Sequence, residues 1–128
     1  MKKNMIIINP CSGKKRANKY LTNIVDIFTK AGYISLVLTT TKQGDGSMYA
    51  KEYGGEFDLI TCIGGDGTFN EVAAGLLDGG FKTPLGYIPA GSTNDFANSL
   101  NLSTEIVKAA RDIVTGEKIS LDIGSFNG

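Results

Sequence analysis

Histidine is absent from the 128 residues of this chain. This absence excludes a Ser-His-Asp triad, a histidine-ligated metal and every mechanism in which an imidazole acts as the base. Tryptophan is absent as well. The lack of histidine is compatible with a reaction in which a carboxylate accepts the proton of a hydroxyl group.

Other features are scarce, and each excludes a class of protein. The 13 basic and 13 acidic residues cancel, so the chain lacks the basic excess of a nucleic-acid binder. Two cysteines, Cys11 and Cys62, form neither a disulfide framework nor a metal-binding spacing. No apolar run approaches the roughly 18 residues of a membrane span, and residues 5–8 are too short a run for a signal peptide. We therefore expect a cytoplasmic location.

Apolar segments of two kinds alternate along the chain. Short β-branched and aromatic runs predict strands, and apolar positions at helical spacing predict helices, with Gly32 and Gly116 as left-handed caps. The predicted strands are residues 5–8, 33–38, 58–63, 84–88 and 119–123, and the predicted helices are residues 17–31, 47–53, 68–77, 93–100 and 103–115. This alternation predicts an α/β fold, a three-layer sandwich with a mostly parallel sheet. The chain stops soon after its last predicted strand, which predicts a domain cut from a longer protein.

Glycine, in contrast, is abundant: 8 of the 17 glycines lie between Gly64 and Gly91. Ligands of open parallel sheets bind beyond the carboxyl ends of the strands. The turns predicted there are residues 9–14, 39–41, 64–68 and 90–95, and all are rich in glycine, hydroxyl or amide groups. Because such groups at helix N-termini stabilise phosphate, the four turns together predict a phosphate site.

The turn after the third predicted strand has the most specific pattern. Its glycines let the backbone approach a ligand where a Cβ would clash. Thr68 is predicted to cap the next helix, with Glu71 completing a capping box. Asp66 stands among groups that favour phosphate, and the repulsion between them requires a cation or a sugar hydroxyl in between. Asp66 therefore indicates a metal-bound nucleotide, and a tight turn with a surface aspartate is the alternative.

Two common phosphate motifs do not match. Asn70 stands where the dinucleotide fingerprint requires its third glycine, and residues 39–41 are threonines instead of the acid that holds a ribose. Residues 12–15 lack the glycine spacing of a P-loop and the serine or threonine that follows its lysine. Neither a dinucleotide site nor a P-loop ATPase is therefore supported.

Three motifs in order make the chain resemble the catalytic domain of diacylglycerol kinases, a family shared with sphingosine and ceramide kinases and soluble bacterial lipid kinases. The motifs are Asn9-Pro10-x-Ser12-Gly13, then Gly64-Gly65-Asp66-Gly67-Thr68-x-Asn70-Glu71-Val72, then Pro89-Ala90-Gly91-Ser92-Thr93-Asn94-Asp95-Phe96-Ala97. Gly-Gly-Asp-Gly alone also occurs in NAD kinases and phosphofructokinases, but the ordered set is highly specific. The resemblance covers essentially the whole chain. It implies a fold similar to the N-terminal domain of NAD kinase and diacylglycerol kinase, with ATP and Mg²⁺ bound between that domain and a C-terminal β-rich domain.

The resemblance also implies roles for individual residues. The nucleotide-binding residues would be Asn9, Pro10, Ser12, Gly13, Thr40, Gly64, Gly65, Asp66, Gly67, Thr68, Asn70, Glu71, Gly91, Ser92, Asn94 and Asp95. Asp66 would be catalytic, and Asp122 would join a magnesium network through water. Helix capping is the alternative for Asn94 and Asp95, and an exposed charge at a strand end is the alternative for Asp122. The family's general base, a glutamate, and most of its direct metal ligands belong to the C-terminal domain, which we expect to lie outside this chain.

The function implied is phosphoryl transfer from ATP to a lipid hydroxyl, with diacylglycerol converted to phosphatidic acid. Residues 1–128 would be the nucleotide-binding catalytic subdomain and would be inactive in isolation. The expected partners are a lipid at a membrane surface and the C-terminal domain of the same polypeptide, with a homodimer left open and nucleic acid excluded. Two alternatives stay open, an NAD kinase-like enzyme and a non-catalytic nucleotide-binding regulatory module.

Overall fold

Four parallel strands form the sheet at the centre of this chain. A computed structural model describes residues 1–90 and 105–116, including all their side chains except those of residues 13–16. The strands are β1 (Lys2–Ile8), β2 (Tyr33–Thr39), β3 (Leu59–Gly64) and β4 (Leu85–Pro89). They lie in the order β2-β1-β3-β4, and every neighbouring pair is parallel.

Helices cover both faces of this sheet. The helices are α1 (Ser12–Lys19), α2 (Leu21–Lys30), α3 (Asp45–Tyr53), α4 (Asp66–Asp78) and α5 (Ile106–Val114), and a 3-10 turn (Gly54–Glu56) follows α3. The first two and α5 pack on one face, whereas α3 and α4 pack on the other. The predicted α/β fold is confirmed for this part of the chain. Within it, no helix has the length and apolarity that a membrane crossing requires.

The two central strands are buried on both faces. On β1, Ile6 and Ile8 pack toward α2 and α5, whereas Met5 and Ile7 pack toward α3 and α4. All four side chains are 0% exposed, and every residue of β3 is buried. Burial on both faces explains why residues 5–8 of β1 form a continuous apolar run and why β3 is apolar apart from Thr61 and Gly64.

One buried polar contact joins the central strands. The hydroxyl of Thr61 on β3 donates to Oδ1 of Asn4 on β1 over 2.9 Å, and both residues are 0% exposed. Nδ2 of Asn4 donates in turn to the hydroxyl of Ser35 on β2, at 3.3 Å. A slip of one residue between the strands would leave these buried polar groups unpaired, at a cost of about 1–3 kcal/mol each. The contact therefore supports a single register.

This register brings the carboxyl ends of all four strands to one edge. Ile8 is paired with Thr39 and Ile63, and Gly64 is paired with Pro89. Because β1 continues to β2 on one side and β3 continues to β4 on the other, the strand order reverses between β1 and β3. A crevice at such a reversal is the usual ligand site of an open α/β sheet.

The predicted strands 5–8, 33–38, 58–63 and 84–88 are confirmed, with ends that differ by up to three residues. Gly32 and Gly116 have φ of 94° and 124°, which confirms both predicted caps. Helix α5 lies within the predicted helix 103–115. The helix predicted at 93–100 and the strand predicted at 119–123 lie outside the described residues.

The prediction of one helix over residues 17–31 is wrong, because two helices occupy residues 12–30. Tyr20 separates them, with φ −103° and ψ 8°. The first helix begins at Ser12, and its described side chains are polar apart from Ala17. Apolar spacing therefore located α2 but could not detect α1, which has almost no apolar face.

Helices α3 and α4 approach closely at Gly75. A Cβ at this position would collide with the carbonyl oxygen of Ser47 and would lie 2.9 Å from Cβ of Ala50. Glycine is required here because the obstacle is backbone, which cannot move without separating the two helices. The contact holds α3 against the helix that begins at the carboxyl edge of β3.

We expect Gly75→Ala to lower the free energy of unfolding by about 1–3 kcal/mol, the usual cost of overpacking. Gly67→Ala is the matched control, since it is the same change in the same helix with nothing within 4 Å of the new Cβ. The control should be neutral or should stabilise by up to about 1 kcal/mol through helix propensity. Urea unfolding measures both, and equal effects would contradict the close-packing argument.

Candidate functional site

The turns after β1 and β3 meet beside Gly64. A Cβ at this glycine would lie 3.0 Å from Cβ and 3.1 Å from Oγ1 of Thr68, and 3.3 Å from Oγ of Ser12. The absence of a side chain at Gly64 therefore lets one hydroxyl from α1 and one from α4 reach the same point. Both helices begin here, so their first N–H groups are directed to the same edge of the sheet.

Helix α4 begins at Asp66, with Gly65 as its N-cap residue in an extended conformation at φ −88° and ψ −176°. The predicted capping box of Thr68 and Glu71 is therefore wrong, because Thr68 already lies inside the first turn. Glu71 instead accepts a hydrogen bond through Oε1 from the N–H of Gly44, at 2.9 Å. The Thr-x-x-Glu pattern occurs in the sequence, but the glycine turn starts the helix two residues earlier.

Asp66 lies in the first turn of α4 and accepts a hydrogen bond from Tyr87. The distance from the Tyr87 hydroxyl to Oδ1 of Asp66 is 3.1 Å. Burial raises the pKa of Tyr87, and the nearby Cys62 and Asp66 raise it further, so the phenol keeps its proton. Its ring is stacked on Phe69, with centroids 4.4 Å apart and planes at 28°. The apolar run at 84–88 indicated only a strand and gave no sign of this contact.

A cleft of about 440 Å³ opens beside these turns. It is lined by residues that follow β1, β2 and β3 and by the first turns of α4, namely Asn9, Pro10, Cys11, Thr40, Thr41, Lys42, Gln43, Thr68 and Glu71. Five of the predicted nucleotide-binding residues are among them. In the wall formed by residues 41–43, Thr41 belongs to the predicted turn 39–41, whereas Lys42 and Gln43 were not predicted. The wall adds a hydroxyl, an amide and the exposed cation of Lys42 to the cleft.

Asp45 holds this wall in place. Its Oδ2 accepts hydrogen bonds from the N–H and the hydroxyl of Thr41, at 2.8 and 3.0 Å, and from the N–H of Lys42, at 3.1 Å. The hydrogen bond from the Thr41 main chain lowers the pKa of the Asp45 carboxyl despite the opposing effect of burial. The residue is 5% exposed. In the sequence, Asp45 is marked only by its position after Gly44, which indicates a turn and not a role in the cleft.

The turn after β1 is built by Asn9. Its Oδ1 accepts the N–H of Cys11 at 3.1 Å, and its carbonyl accepts the N–H of Ser12 at 3.1 Å. Its own N–H donates to Ile63 at 2.9 Å, which extends the pairing of β1 with β3 by one residue. Asn9 therefore shapes the turn that presents Ser12.

The other predicted site residues differ in their positions. Gly13 lies in the first turn of α1, and Gly67 is exposed in the first turn of α4. Asn70 is exposed on α4 and does not line the cleft. Gly91, Ser92, Asn94, Asp95 and Asp122 lie outside the described residues.

The described residues fit the phosphates of a nucleotide, and they fit Mg²⁺ only as a partial site. The hydroxyls of Ser12 and Thr68 beside the helix N-termini are suitable phosphate donors. No group of three cysteine, aspartate or glutamate side chains in residues 1–90 and 105–116 could hold a metal ion. Asp66 is a single carboxylate at this edge, and Mg²⁺ in nucleotide sites commonly takes one or two carboxylates together with phosphate oxygens and water.

Comparison with known proteins identifies the family of this chain. The model of the diacylglycerol kinase catalytic domain matches residues 3–126. The chain is 45% identical over 130 residues to a protein of Bacillus subtilis named diacylglycerol kinase, covering 100% of this chain and 43% of that protein. It is 36% identical over 127 residues to a protein of the same name from Staphylococcus carnosus, covering 98% of this chain and 42% of that protein.

A crystal structure gives the same result at the level of the fold. A diacylglycerol kinase from Bacillus anthracis superimposes with a TM-score of 0.80 at 35% identity, over 89% of this chain and 40% of that one. The chain thus spans about two fifths of the length of these relatives. With a family match over nearly all of its residues, the chain belongs to the diacylglycerol kinase catalytic domain family.

Proposed function

We propose that the protein containing this chain transfers the γ-phosphoryl group of ATP to the hydroxyl of a lipid, with diacylglycerol as acceptor and phosphatidic acid as product. The observation that carries the proposal is the meeting of Ser12 and Thr68 at Gly64, where the strand order reverses, with Asp66 in the same first turn of α4. The relatives named diacylglycerol kinase support the choice of acceptor.

Phosphoryl transfer needs positioning and charge stabilisation more than covalent chemistry. The hydroxyls of Ser12 and Thr68 and the first N–H groups of α1 and α4 would hold the phosphate oxygens. When bound, Mg²⁺ neutralises charge between phosphate oxygens. The Asp66 carboxylate would be a ligand of that ion, because beside a polyphosphate it would otherwise be repelled.

The nucleoside would occupy the cleft lined by Asn9, Thr40 and Thr41. Their amide and hydroxyl groups can donate to and accept from a ribose or a base, and Lys42 supplies a cation at the rim. Among the residues predicted by resemblance, Gly91, Ser92, Asn94 and Asp95 remain proposed nucleotide contacts. Asp122 remains proposed to join a magnesium network through water.

The remaining machinery would come from the same polypeptide. We assign residues 1–128 to the nucleotide-binding part and expect a C-terminal β-rich domain to supply the glutamate base and the other metal ligands. The greater length of the relatives supports this arrangement. A lipid acceptor also requires peripheral contact with a membrane surface.

The acceptor can be tested on the polypeptide expressed from its intact coding sequence. We expect transfer of ³²P from Mg·ATP to diacylglycerol in mixed micelles, and little to sphingosine or NAD. Transfer to NAD instead would favour the NAD kinase-like alternative. Nucleotide binding without transfer to any acceptor would favour a regulatory module.

Asp66→Asn should reduce phosphoryl transfer by about 10²-fold or more, the usual effect of removing a group that stabilises transition-state charge. Asp78→Asn is the matched control, since it removes an exposed carboxylate at the other end of the same helix. Steady-state kinetics with diacylglycerol measure both variants. Near-normal turnover of Asp66→Asn would contradict the role of the glycine turn.

Asp45→Ala should raise the KM for ATP by about tenfold while changing kcat little, because hydrogen bonds to a charged group that order the cleft wall are lost.

The pKa of the Asp45 carboxyl is lowered from its ordinary value of 3.8. The side chain therefore stays charged, and keeps its hydrogen bonds to the cleft wall, at every pH above 3.8. The KM of the unmodified protein should therefore show no titration of Asp45 between about pH 5 and 9. Asp26→Ala, which removes an exposed carboxylate paired with Lys30 on α2, is the control. A kcat effect without a KM effect would contradict the assignment.

A further inference from the structure

Tyr87 carries a hydroxyl group that its strand does not need. All five residues of β4 are buried, and Tyr87 is 2% exposed. A phenylalanine would fill nearly the same space without burying a polar group. A buried phenol therefore needs a hydrogen-bond partner, and here Asp66 is one at 3.1 Å.

The position of that hydroxyl is fixed from two directions. In the sheet, Tyr87 pairs with Cys62 of β3, so the pairing of β3 with β4 fixes its position along the strand relative to the glycine turn. On the helix, Phe69 stands one turn after Asp66 and stacks on the ring of Tyr87 at 4.4 Å. Helix α4 thus presents to one tyrosine both the carboxylate that accepts its hydrogen bond and the ring that restrains its rotation.

A carboxylate oxygen that accepts from a fixed donor loses much of its rotational freedom. Asp66 lies in the first helical turn and is only half-buried, so packing alone does not fix its side chain. A phenol is a hydrogen-bond donor at neutral pH. The hydrogen bond from Tyr87 is thus a permanent restraint on the direction in which Asp66 presents its charge.

We infer that Tyr87 is a positioning residue, whose hydroxyl orients the Asp66 carboxylate toward a metal-bound nucleotide. The inference rests on the proposed function, in which Asp66 acts through a divalent cation. It goes beyond that proposal by naming a second residue, on a different strand, whose effect should depend on the metal. The hydroxyl contributes to the binding of Mg·ATP and contributes nothing to the binding of ATP without metal.

Calorimetric titration of the intact polypeptide with a non-hydrolysable ATP analogue tests this inference, once with Mg²⁺ and once with EDTA. Tyr87→Phe, Asp66→Asn and the double variant are compared. Tyr33→Phe is the matched control, since it removes the hydroxyl of another buried tyrosine, on the far strand β2. We expect Tyr87→Phe to weaken Mg²⁺-dependent binding by about tenfold and to leave metal-free binding unchanged.

The double variant separates positioning from a general effect on the fold. If the hydroxyl acts through Asp66, Tyr87→Phe causes no further loss in the Asp66→Asn background. Equal losses with and without Mg²⁺, or losses that add in the double variant, would overturn the inference. Thermal unfolding of each variant shows whether a loss reflects misfolding, and a crystal structure of Tyr87→Phe tests directly whether the carboxylate has turned.

The two proposals fail in different ways. If Asp66→Asn weakens Mg·ATP binding and Tyr87→Phe does not, the inference alone is wrong. If Asp66→Asn has no effect on Mg·ATP binding, the proposed role of Asp66 fails and the inference fails with it.

Discussion

The buried hydrogen bond between Asn4 and Thr61 is the constraint on which the site depends. Apolar packing alone would tolerate several registers between two strands that are buried on both faces. A polar pair in the core tolerates only the register in which it is satisfied. With β1 and β3 aligned in this way, their last residues end level, and the turns that begin at Asn9 and Gly64 come into contact. The approach of Ser12 and Thr68 to Gly64 follows from that alignment.

The chemistry of the site is distributed over three turns that are distant in sequence. Gly64 lets two hydroxyls converge, Asp66 supplies the charge, and the wall after β2 closes the side of the cleft. No single segment would bind a nucleotide alone. This distribution over several turns suits the proposed phosphoryl transfer. The rate of that reaction depends on the placement of phosphate and charge, and no covalent intermediate is required. The same distribution also explains why one fold family can keep such a turn while the acceptor is chosen elsewhere in the protein.

Sequence reasoning succeeded where one local pattern determines the outcome. The apolar runs located the strands, and the glycines at 64, 65 and 67 marked the central turn. It failed for Glu71 and Tyr87, whose hydrogen-bond partners lie far along the chain. Glu71 was assigned to a capping box because of its local spacing, yet it accepts the N–H of Gly44. Tyr87 was not predicted, because its contact with Asp66 follows from the strand register and from packing against α4. Asp45 was not predicted either, although its partners Thr41 and Lys42 lie only four and three residues before it. Helix α1 was missed because its residues, apart from Ala17, are polar.

The carboxylates of Asp45 and Glu71 hold the segment from Thr41 to Gly44 at both of its ends. A loop of this kind usually becomes ordered only when its ligand arrives, and that ordering opposes binding through the loss of conformational entropy. Here the segment is already ordered by groups that do not belong to the ligand. The proposed nucleotide would therefore meet a preorganised wall in the cleft, and more of its contact energy would remain available as affinity.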